Sequence, residues 1–187
     1  SAFGTGHHET TAMALAALAS VPDGLAGKTV LDVGAGTGLL AIAADLLGAE
    51  ASYGVDVDPV TVPVARANAA RNRSRARFAL GSLAATAPGL QNVTEAGVIV
   101  APVDRPVAGL PSKVDVIVAN LYAELHAALF TAYADLLMLG GVAYLTGILE
   151  SRRDVVIGSV PPGMRLRAER QDGEWLLLEF ERVSAAD

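Results

Sequence analysis

The sequence predicts an α/β fold, in which a mostly parallel seven-stranded sheet is flanked by helices and ends in an antiparallel hairpin. Two observations support this fold class. Between residues 28 and 148, short apolar and β-branched runs alternate with segments of helical length. Beyond Pro161, two further β-like runs flank Asp172 and Gly173, a dipeptide typical of tight hairpins.

Seven predicted strands follow one another along the chain, each bounded by glycine, proline or polar residues. They cover residues 28–33, 52–57, 77–80, 114–119, 142–148, 164–170 and 174–182. The first five belong to a series of strand–helix–strand units and are therefore expected to run parallel. The last two form the antiparallel hairpin, because a two-residue turn joins antiparallel strands.

Four helices are predicted, and they cover residues 10–19, 39–47, 59–72 and 123–138. Asp58 followed by Pro59 is typical of a helix N-cap and first helical position, although Pro63 also allows a later start. Gly140 and Gly141 are expected to end the last helix.

Residues 83–113 do not fit this pattern, because they are rich in glycine and proline and show no clear helix. Structureless loops of this length are uncommon in compact domains. We therefore predict an insertion over residues 83–113, with a small hairpin around residues 98–103.

The composition indicates one compact domain and excludes several classes of protein. The 187 residues are 52% hydrophobic and 18% charged, unlike a disordered or coiled-coil chain. A net charge of −6 offers no overall positive field to nucleic acid or to an anionic membrane surface. The absence of cysteine excludes disulfides, thiolate zinc sites and a cysteine nucleophile.

Three alternating glycines, Gly34, Gly36 and Gly38, stand where the first strand becomes a helix. Glycine there lets the backbone approach a ligand, and the helix N-terminus offers free N–H groups. The dinucleotide-binding fingerprint needs its third glycine at position 39, which is Leu39 here. The observed spacing is instead that of sheets that bind S-adenosylmethionine. A tight turn without a ligand is the alternative, which is disfavoured because glycines weaken the adjoining helix and strand.

Two polar residues are predicted to face the same crevice, since open α/β sheets bind ligands at the carboxyl ends of their strands. Asp56 ends the second strand and is suited to accept both hydroxyls of a ribose, with a solvated strand end as the alternative. Asn120 ends the fourth strand, where its amide oxygen is suited to accept a hydrogen bond from a substrate nitrogen. A simple strand terminator is the alternative for Asn120. Methyltransferases that act on planar amide or base nitrogens carry two prolines after this asparagine. These prolines are absent here, which argues against such substrates.

A metal site is disfavoured, because His7 and His8 are adjacent and cannot share one helix face. The remaining histidine, His126, is expected to pack or to be solvated. The arginines between residues 66 and 77 are interpreted as a solvated helix end that suits the helix dipole.

Together these motifs resemble those of the PrmA family, the bacterial methyltransferases that modify ribosomal protein eleven of the large subunit. The most specific part is AFGTGHHETT at residues 2–11, and LDVGAGTG, GVDVDP, VANLYAELHAAL and LTGIL follow in the family's order. ANLYAELHAAL looks like the versions from the Deinococcus–Thermus group. The resemblance covers most of the chain and implies a Rossmann-like class I methyltransferase fold with S-adenosylmethionine as cofactor.

The resemblance also implies which residues form the site. Four match the family residues that bind the cofactor, namely Thr11, Gly34, Asp56 and Asn120. Seven further residues are expected to contact it from the opening segment, the glycine loop or the end of the third strand: Phe3, Thr5, Gly6, Gly36, Gly38, Gly81 and Ser82. Asn120, Leu121 and Tyr122 are expected to position the substrate amine, and no general base is assigned.

The implied reaction is N-methylation of lysine ε-amines, of the N-terminal α-amine, or of both, in a large-subunit ribosomal protein of the cytoplasm. A small-molecule N-methyltransferase of the same fold is one alternative. A non-catalytic nucleotide-binding module is another, which Leu39 disfavours. The family also carries an N-terminal recognition domain to which nothing here corresponds, so residues 1–187 are expected to form the catalytic domain alone. We expect no metal, no direct contact with nucleic acid or membrane, and a monomer.

Overall fold

The computed structural model describes residues 7–83 and 109–184, and of His7 only the backbone. Seven strands are present in this part of the chain: β1 Thr29–Val33, β2 Ala51–Asp56, β3 Arg77–Leu80, β4 Val114–Asn120, β5 Leu137–Leu149, β6 Met164–Asp172 and β7 Trp175–Arg182. The helices are α1 His7–Ala19, α2 Leu39–Leu46, α3 Thr61–Arg71, α4 Ala123–Leu136 and α5 Arg153–Ile157, with a 3-10 turn at Glu150–Arg152.

The seven strands form one sheet in the order β3-β2-β1-β4-β5-β7-β6. Every pairing among β1 to β5 is parallel, whereas β7 is antiparallel to both of its neighbours. The predicted mostly parallel sheet with a C-terminal antiparallel hairpin is therefore confirmed. The strand order changes direction between β1 and β4, and such a switch point opens a crevice at the carboxyl ends of the strands.

Apolar side chains pack on both faces of the sheet, as buried parallel strands require. One face packs against α4 and α5, in a cluster that includes Leu31, Ile117, Phe130 and Val156. The other face packs against α1 and α2, in a cluster that includes Leu18, Val30, Leu40 and Val116. Helices on both faces therefore hold in place the strands whose carboxyl ends form the crevice.

Two helices begin at different residues from those predicted. α1 begins at His7, three residues early. α3 begins at Thr61, because Asp58 first closes a turn of its own. The Asp58 carboxylate accepts from the Val60 N–H at 2.8 Å, and its carbonyl accepts from the Thr61 N–H at 3.2 Å. Pro63 then falls in the first helical turn, where a missing N–H costs no hydrogen bond.

The Gly140-Gly141 pair does not separate helix from strand as expected. β5 begins at Leu137, directly after α4, and continues through both glycines to Leu149. Leu137 of β5 pairs with Val114 of β4, and the next pair joins Val142 to Val116. β5 therefore uses five residues where β4 uses two. The three extra residues bulge out, and Gly140 supplies the positive φ of 77° that this bulge needs.

The chain between β3 and β4 is described only at its two ends. Residues 84–108, with the predicted hairpin at 98–103, lie outside the described residues. Residues 109–113 form neither helix nor strand. Beyond β5, helix α5 is an element that the sequence did not predict.

The packing of Phe130 leads to a test of the fold. Its ring is fully buried and meets Phe180 edge to face, with centroids 4.8 Å apart. Phe130→Ala should lower the free energy of unfolding by about 3–5 kcal/mol, because it removes apolar contacts and leaves a cavity. Urea unfolding measures this, with Leu139→Ala at a 72% exposed position as the control. The control should stay within about 0.5 kcal/mol of wild type, and equal losses would contradict this account of the core.

Candidate active site

The candidate site lies at the carboxyl edge of the sheet, where the ends of β1, β2, β4 and β5 meet. Parallel pairing aligns the ends of these strands, because Val33 stands opposite Val55 on one side and Ala119 on the other. Asn120 of β4 in turn stands opposite Thr146 of β5. The topology therefore brings together residues that are more than a hundred positions apart in the sequence.

The glycine loop, residues 34–38 between β1 and α2, is held against β2 by hydrogen bonds. The amides of Gly34 and Ala35 both donate to the Val55 carbonyl at 2.9 Å. Gly34 has a φ of 74°, and a Cβ added there would lie 2.6 Å from Cδ2 of Leu121. Gly34 is therefore favoured by its backbone conformation, and the Leu121 side chain packs into the space that a Cβ would fill.

Asp56 connects the end of β2 to the glycine loop. Its Oδ2 accepts from the Gly36 N–H at 2.7 Å, and its Oδ1 accepts from the Asp58 N–H at 2.9 Å. The Asp56 carbonyl accepts from the Gly81 N–H at 2.8 Å, which brings the end of β3 to the same place. The side chain remains partly exposed. Each carboxylate oxygen retains a further lone pair, so the group is suited to accept hydroxyl donors from a ligand.

Asp32 is a buried carboxyl group in β1, two residues before the glycine loop. No role for it was predicted from the sequence. Its Oδ2 accepts from the Ala41 N–H at 3.1 Å, whereas Oδ1 has no hydrogen-bond partner among the described residues. Burial raises the pKa of Asp32 to about 7, the Ala41 amide opposes the rise and the Asp56 charge adds to it. A buried oxygen without a partner among the described residues is uncommon in a folded protein and costs free energy. An acidic residue inside an apolar strand was the signal in the sequence.

Asn120 lies at the end of β4 and reaches across to α1. Its Nδ2 donates to Oγ1 of Thr10 at 3.2 Å. Thr10 is buried, while the predicted cofactor residue Thr11 is its half-buried neighbour on α1. The structure thus places Thr10 in contact with Asn120, a contact that no sequence motif predicted.

The turn after Asn120 packs closely against β5. The Leu121 N–H donates to the Thr146 carbonyl at 3.0 Å. Gly147 follows with a φ of 81°, and a Cβ there would lie 2.6 Å from the Leu121 carbonyl oxygen and 2.7 Å from Asn120 Oδ1. Gly147 is thus a second glycine that the site requires; it belongs to the LTGIL motif, to which the sequence assigned no site residue.

Apolar side chains remain exposed at this edge of the sheet. Val57, Leu80 and Tyr122 directly follow or end their strands and are 39%, 47% and 40% exposed. Gly81 and Ser82 continue from β3 beside them. Exposed apolar side chains next to hydrogen-bond acceptors suit a ligand that carries both a planar ring and hydroxyl groups.

Three of the predicted cofactor residues, Phe3, Thr5 and Gly6, lie outside the described residues. Within residues 7–83 and 109–184, no group of three histidine, aspartate or glutamate side chains is arranged to hold a metal ion. No helix in the same part of the chain is long and apolar enough to cross a membrane.

The predicted arginine-rich helix end makes local contacts. Arg66 donates to the Phe78 carbonyl at 2.8 Å, and Arg75 pairs with Asp45 at 3.0 Å. These arginines thus tie α3 and the approach to β3 to the rest of the fold, while their side chains remain largely exposed.

Comparison with known proteins gives a consistent family. The sequence model of the family described as "Ribosomal protein L11 methyltransferase (PrmA)" matches residues 1–183. Ribosomal protein L11 methyltransferases from Thermus thermophilus and Deinococcus radiodurans are 46% and 44% identical to this chain. Each alignment covers 97% of this chain and 62% of the relative, so the chain spans less than two thirds of their length.

A similar solved structure is the ribosomal protein L11 methylase from Lactobacillus delbrueckii subsp. bulgaricus, with a TM-score of 0.73 and 25% sequence identity. The superposition covers 96% of this chain and 81% of that protein. The similarity therefore extends over almost all of the sheet and its flanking helices.

The raised pKa of Asp32 predicts how stability depends on pH. The folded state binds the proton near pH 7, whereas the unfolded chain releases it near the ordinary value of 3.8. Between these values the folded state holds more protons, so the Asp32 contribution to stability falls as pH rises from about 4 to about 7. Urea unfolding of the wild type and of Asp32→Asn over this range should show a smaller fall in the variant. Asp135→Asn, at an exposed position, is the control, and an unchanged slope in Asp32→Asn would contradict the assignment.

Proposed function

The chain belongs to the ribosomal protein L11 methyltransferase (PrmA) family, as the sequence motifs predicted. From this premise we propose that it transfers a methyl group from S-adenosylmethionine to an amine of ribosomal protein L11. The amine is a lysine ε-amine, the N-terminal α-amine, or both. The observation that carries the proposal is the contact of the glycine loop with Asp56 on one side and with the turn after Asn120 on the other.

The residues of the site fit S-adenosylmethionine in their chemistry. Asp56 is partly exposed and offers carboxylate oxygens to the two ribose hydroxyls. Val57 and Leu80 offer apolar surface to the adenine. Thr11, Gly34, Gly36, Gly38, Gly81 and Ser82 are proposed to complete the binding site. The bound cofactor supplies an electrophilic methyl group on a sulfonium.

Asn120 is proposed to orient the substrate amine. Its Nδ2 is engaged with Thr10, which fixes the orientation of the amide and leaves Oδ1 on the side of Gly147. Leu121 and Tyr122 border the same turn, and Tyr122 offers an exposed ring to the substrate. The amide oxygen accepts a hydrogen bond from an amine N–H and so directs the nitrogen lone pair toward the methyl group.

His126 is excluded as a general base by its surroundings. It is fully buried, and burial lowers its pKa to about 4, against the opposing influence of the Thr146 and Leu121 backbone. Of the two outcomes predicted for this histidine, packing is the one observed. In the described part of the site, catalysis therefore depends on the position of the amine.

The family supports a proposal for the partner of the reaction. We propose ribosomal protein L11 as the substrate, a cytoplasmic location, a monomeric state and no direct contact with nucleic acid. The net charge of −6 favours approach of a basic protein, although salt screens this attraction beyond about 8–10 Å.

The role of Asp56 is tested by cofactor affinity. Asp56→Ala should weaken binding of S-adenosylhomocysteine by roughly 1.5–3 kcal/mol, the scale of hydrogen bonds to a charged group. Calorimetry measures the change, and Asp58→Ala serves as the control because its carboxylate contacts only its own turn among the described residues. Tighter binding of NAD than of S-adenosylhomocysteine by the wild type would refute the cofactor assignment.

The substrate assignment is tested by extending the chain. We propose that the part of the relatives that this chain does not span includes an N-terminal domain that docks L11. This chain should then bind S-adenosylmethionine yet methylate L11 with lower kcat/KM than a chimera extended by the corresponding domain of the Thermus relative. Remote binding energy positions the reacting group, so its loss lowers turnover as well as affinity. Equal kcat/KM for the two proteins in a methyl-transfer assay would show that this chain recognises L11 unaided.

A further inference from the structure

The buried imidazole of His126 lies behind the turn that carries Asn120 and Leu121. It stands on the first turn of α4, with its backbone N–H donating to the Tyr122 carbonyl at 3.2 Å. Its Nε2 lies 2.8 Å from the Thr146 carbonyl oxygen, and its Nδ1 lies 3.3 Å from the Tyr133 hydroxyl. A carbonyl only accepts, so Nε2 carries the proton and Nδ1 accepts from Tyr133.

The Thr146 carbonyl receives a second donor from the turn itself. The Leu121 N–H donates to the same oxygen at 3.0 Å. One carbonyl of β5 therefore joins the end of β4 to the first turn of α4. Thr146 is itself fixed, because its Oγ1 donates to the Leu176 carbonyl of β7 at 3.0 Å.

The turn held in this way touches three neighbouring parts of the candidate site. Leu121 lies against Gly34 of the glycine loop, and Asn120 contacts Thr10 of α1. Gly147 leaves no space between β5 and the Asn120 amide. A small displacement of the turn would therefore move the Asn120 oxygen relative to the glycine loop.

We propose that His126 is a positioning residue for the methyl-transfer reaction, which it supports by donating from Nε2 to the Thr146 carbonyl and so holding the Asn120–Leu121 turn in place. This inference rests on the proposed function. His126 does not touch the reacting atoms and acts through the turn. Its neutral ring suits this role, because a buried hydrogen bond between neutral groups leaves no unpaired charge.

A pair of amide substitutions separates positioning from packing. Glutamine places an amide N–H close to the position of Nε2, whereas asparagine carries the same amide one carbon shorter and falls short of Thr146. His126→Asn should lower kcat for L11 methylation at least tenfold, with KM for L11 and the dissociation constant of S-adenosylhomocysteine within threefold of wild type. His126→Gln should keep at least a third of the wild-type kcat. Misplacement of a reacting group by about 1 Å lowers the rate on the order of a hundredfold, so a small shift of the turn is enough to cause the expected loss of kcat.

Tyr133→Phe is the matched control, because it removes the hydrogen bond on the other side of the same ring and leaves the Thr146 contact in place. Its kcat should stay within twofold of wild type, even where its unfolding midpoint falls as far as that of His126→Asn. Equal kcat for the asparagine and glutamine variants, or a tenfold loss in Tyr133→Phe, would overturn the inference. A test that needs no variant is ¹⁵N NMR of the wild type, which should show His126 as the neutral Nε2–H tautomer. An Nδ1–H tautomer would overturn the inference even if the variants fail to fold.

The two proposals fail in different ways. A wild-type chain that neither binds S-adenosylhomocysteine nor methylates L11 refutes the proposed function, and this inference with it. An active wild type whose asparagine and glutamine variants are equally active refutes the role of His126 alone.

Discussion

The hydrogen bond from the Gly36 amide to the Asp56 carboxylate, 2.7 Å long, is the contact on which the rest of the site depends. It joins the loop after β1 to the end of β2, and parallel pairing of the two strands sets its position. The loop reaches Asp56 because its glycines adopt positive φ angles that other residues rarely adopt. Gly34 has no Cβ, and the Leu121 side chain occupies the space that a Cβ would fill. A single turn thus makes contact with β2 and with the turn after β4.

Buried polar groups at this edge are costly to the fold unless hydrogen bonds to neighbouring side chains or to the backbone compensate them. The half-buried Asn120 donates from Nδ2 to Thr10, and the buried His126 imidazole has Thr146 and Tyr133 as partners. Asp32 differs, because one of its oxygens has no partner among the described residues and its pKa is raised. Leaving this oxygen unpaired costs the folded protein free energy that the other buried polar groups do not lose.

The sequence predicted those features that follow from chain order and local spacing. Strand-to-helix alternation indicated the sheet, and the position of Asp56 at the end of β2 indicated its place beside the glycine loop. Contacts that depend on three-dimensional packing were not predictable. Thr10 reaches Asn120 because α1 crosses the face of the sheet, and Gly147 matters because β5 meets the Asn120 turn. The glycines at 140 and 141 were misassigned because a bulge and a helix end require the same residue type.

The chemistry of the site bears on which amine reacts most readily. A lysine amine with a pKa of about 10.4 costs roughly 4.6 kcal/mol to deprotonate at pH 7, whereas an α-amine with a pKa of about 7.7–8.0 costs roughly 1–1.4 kcal/mol. His126 is engaged on both ring nitrogens and Asp32 is buried, so neither is placed to take up this proton from solvent-exposed substrate. The sulfonium charge of the cofactor lowers the pKa of either amine as it approaches. Under the proposed function, a site that positions the amine with Asn120 and draws no base from His126 or Asp32 favours the α-amine. Lysine would then be methylated at a rate set by the small neutral fraction of its side chain.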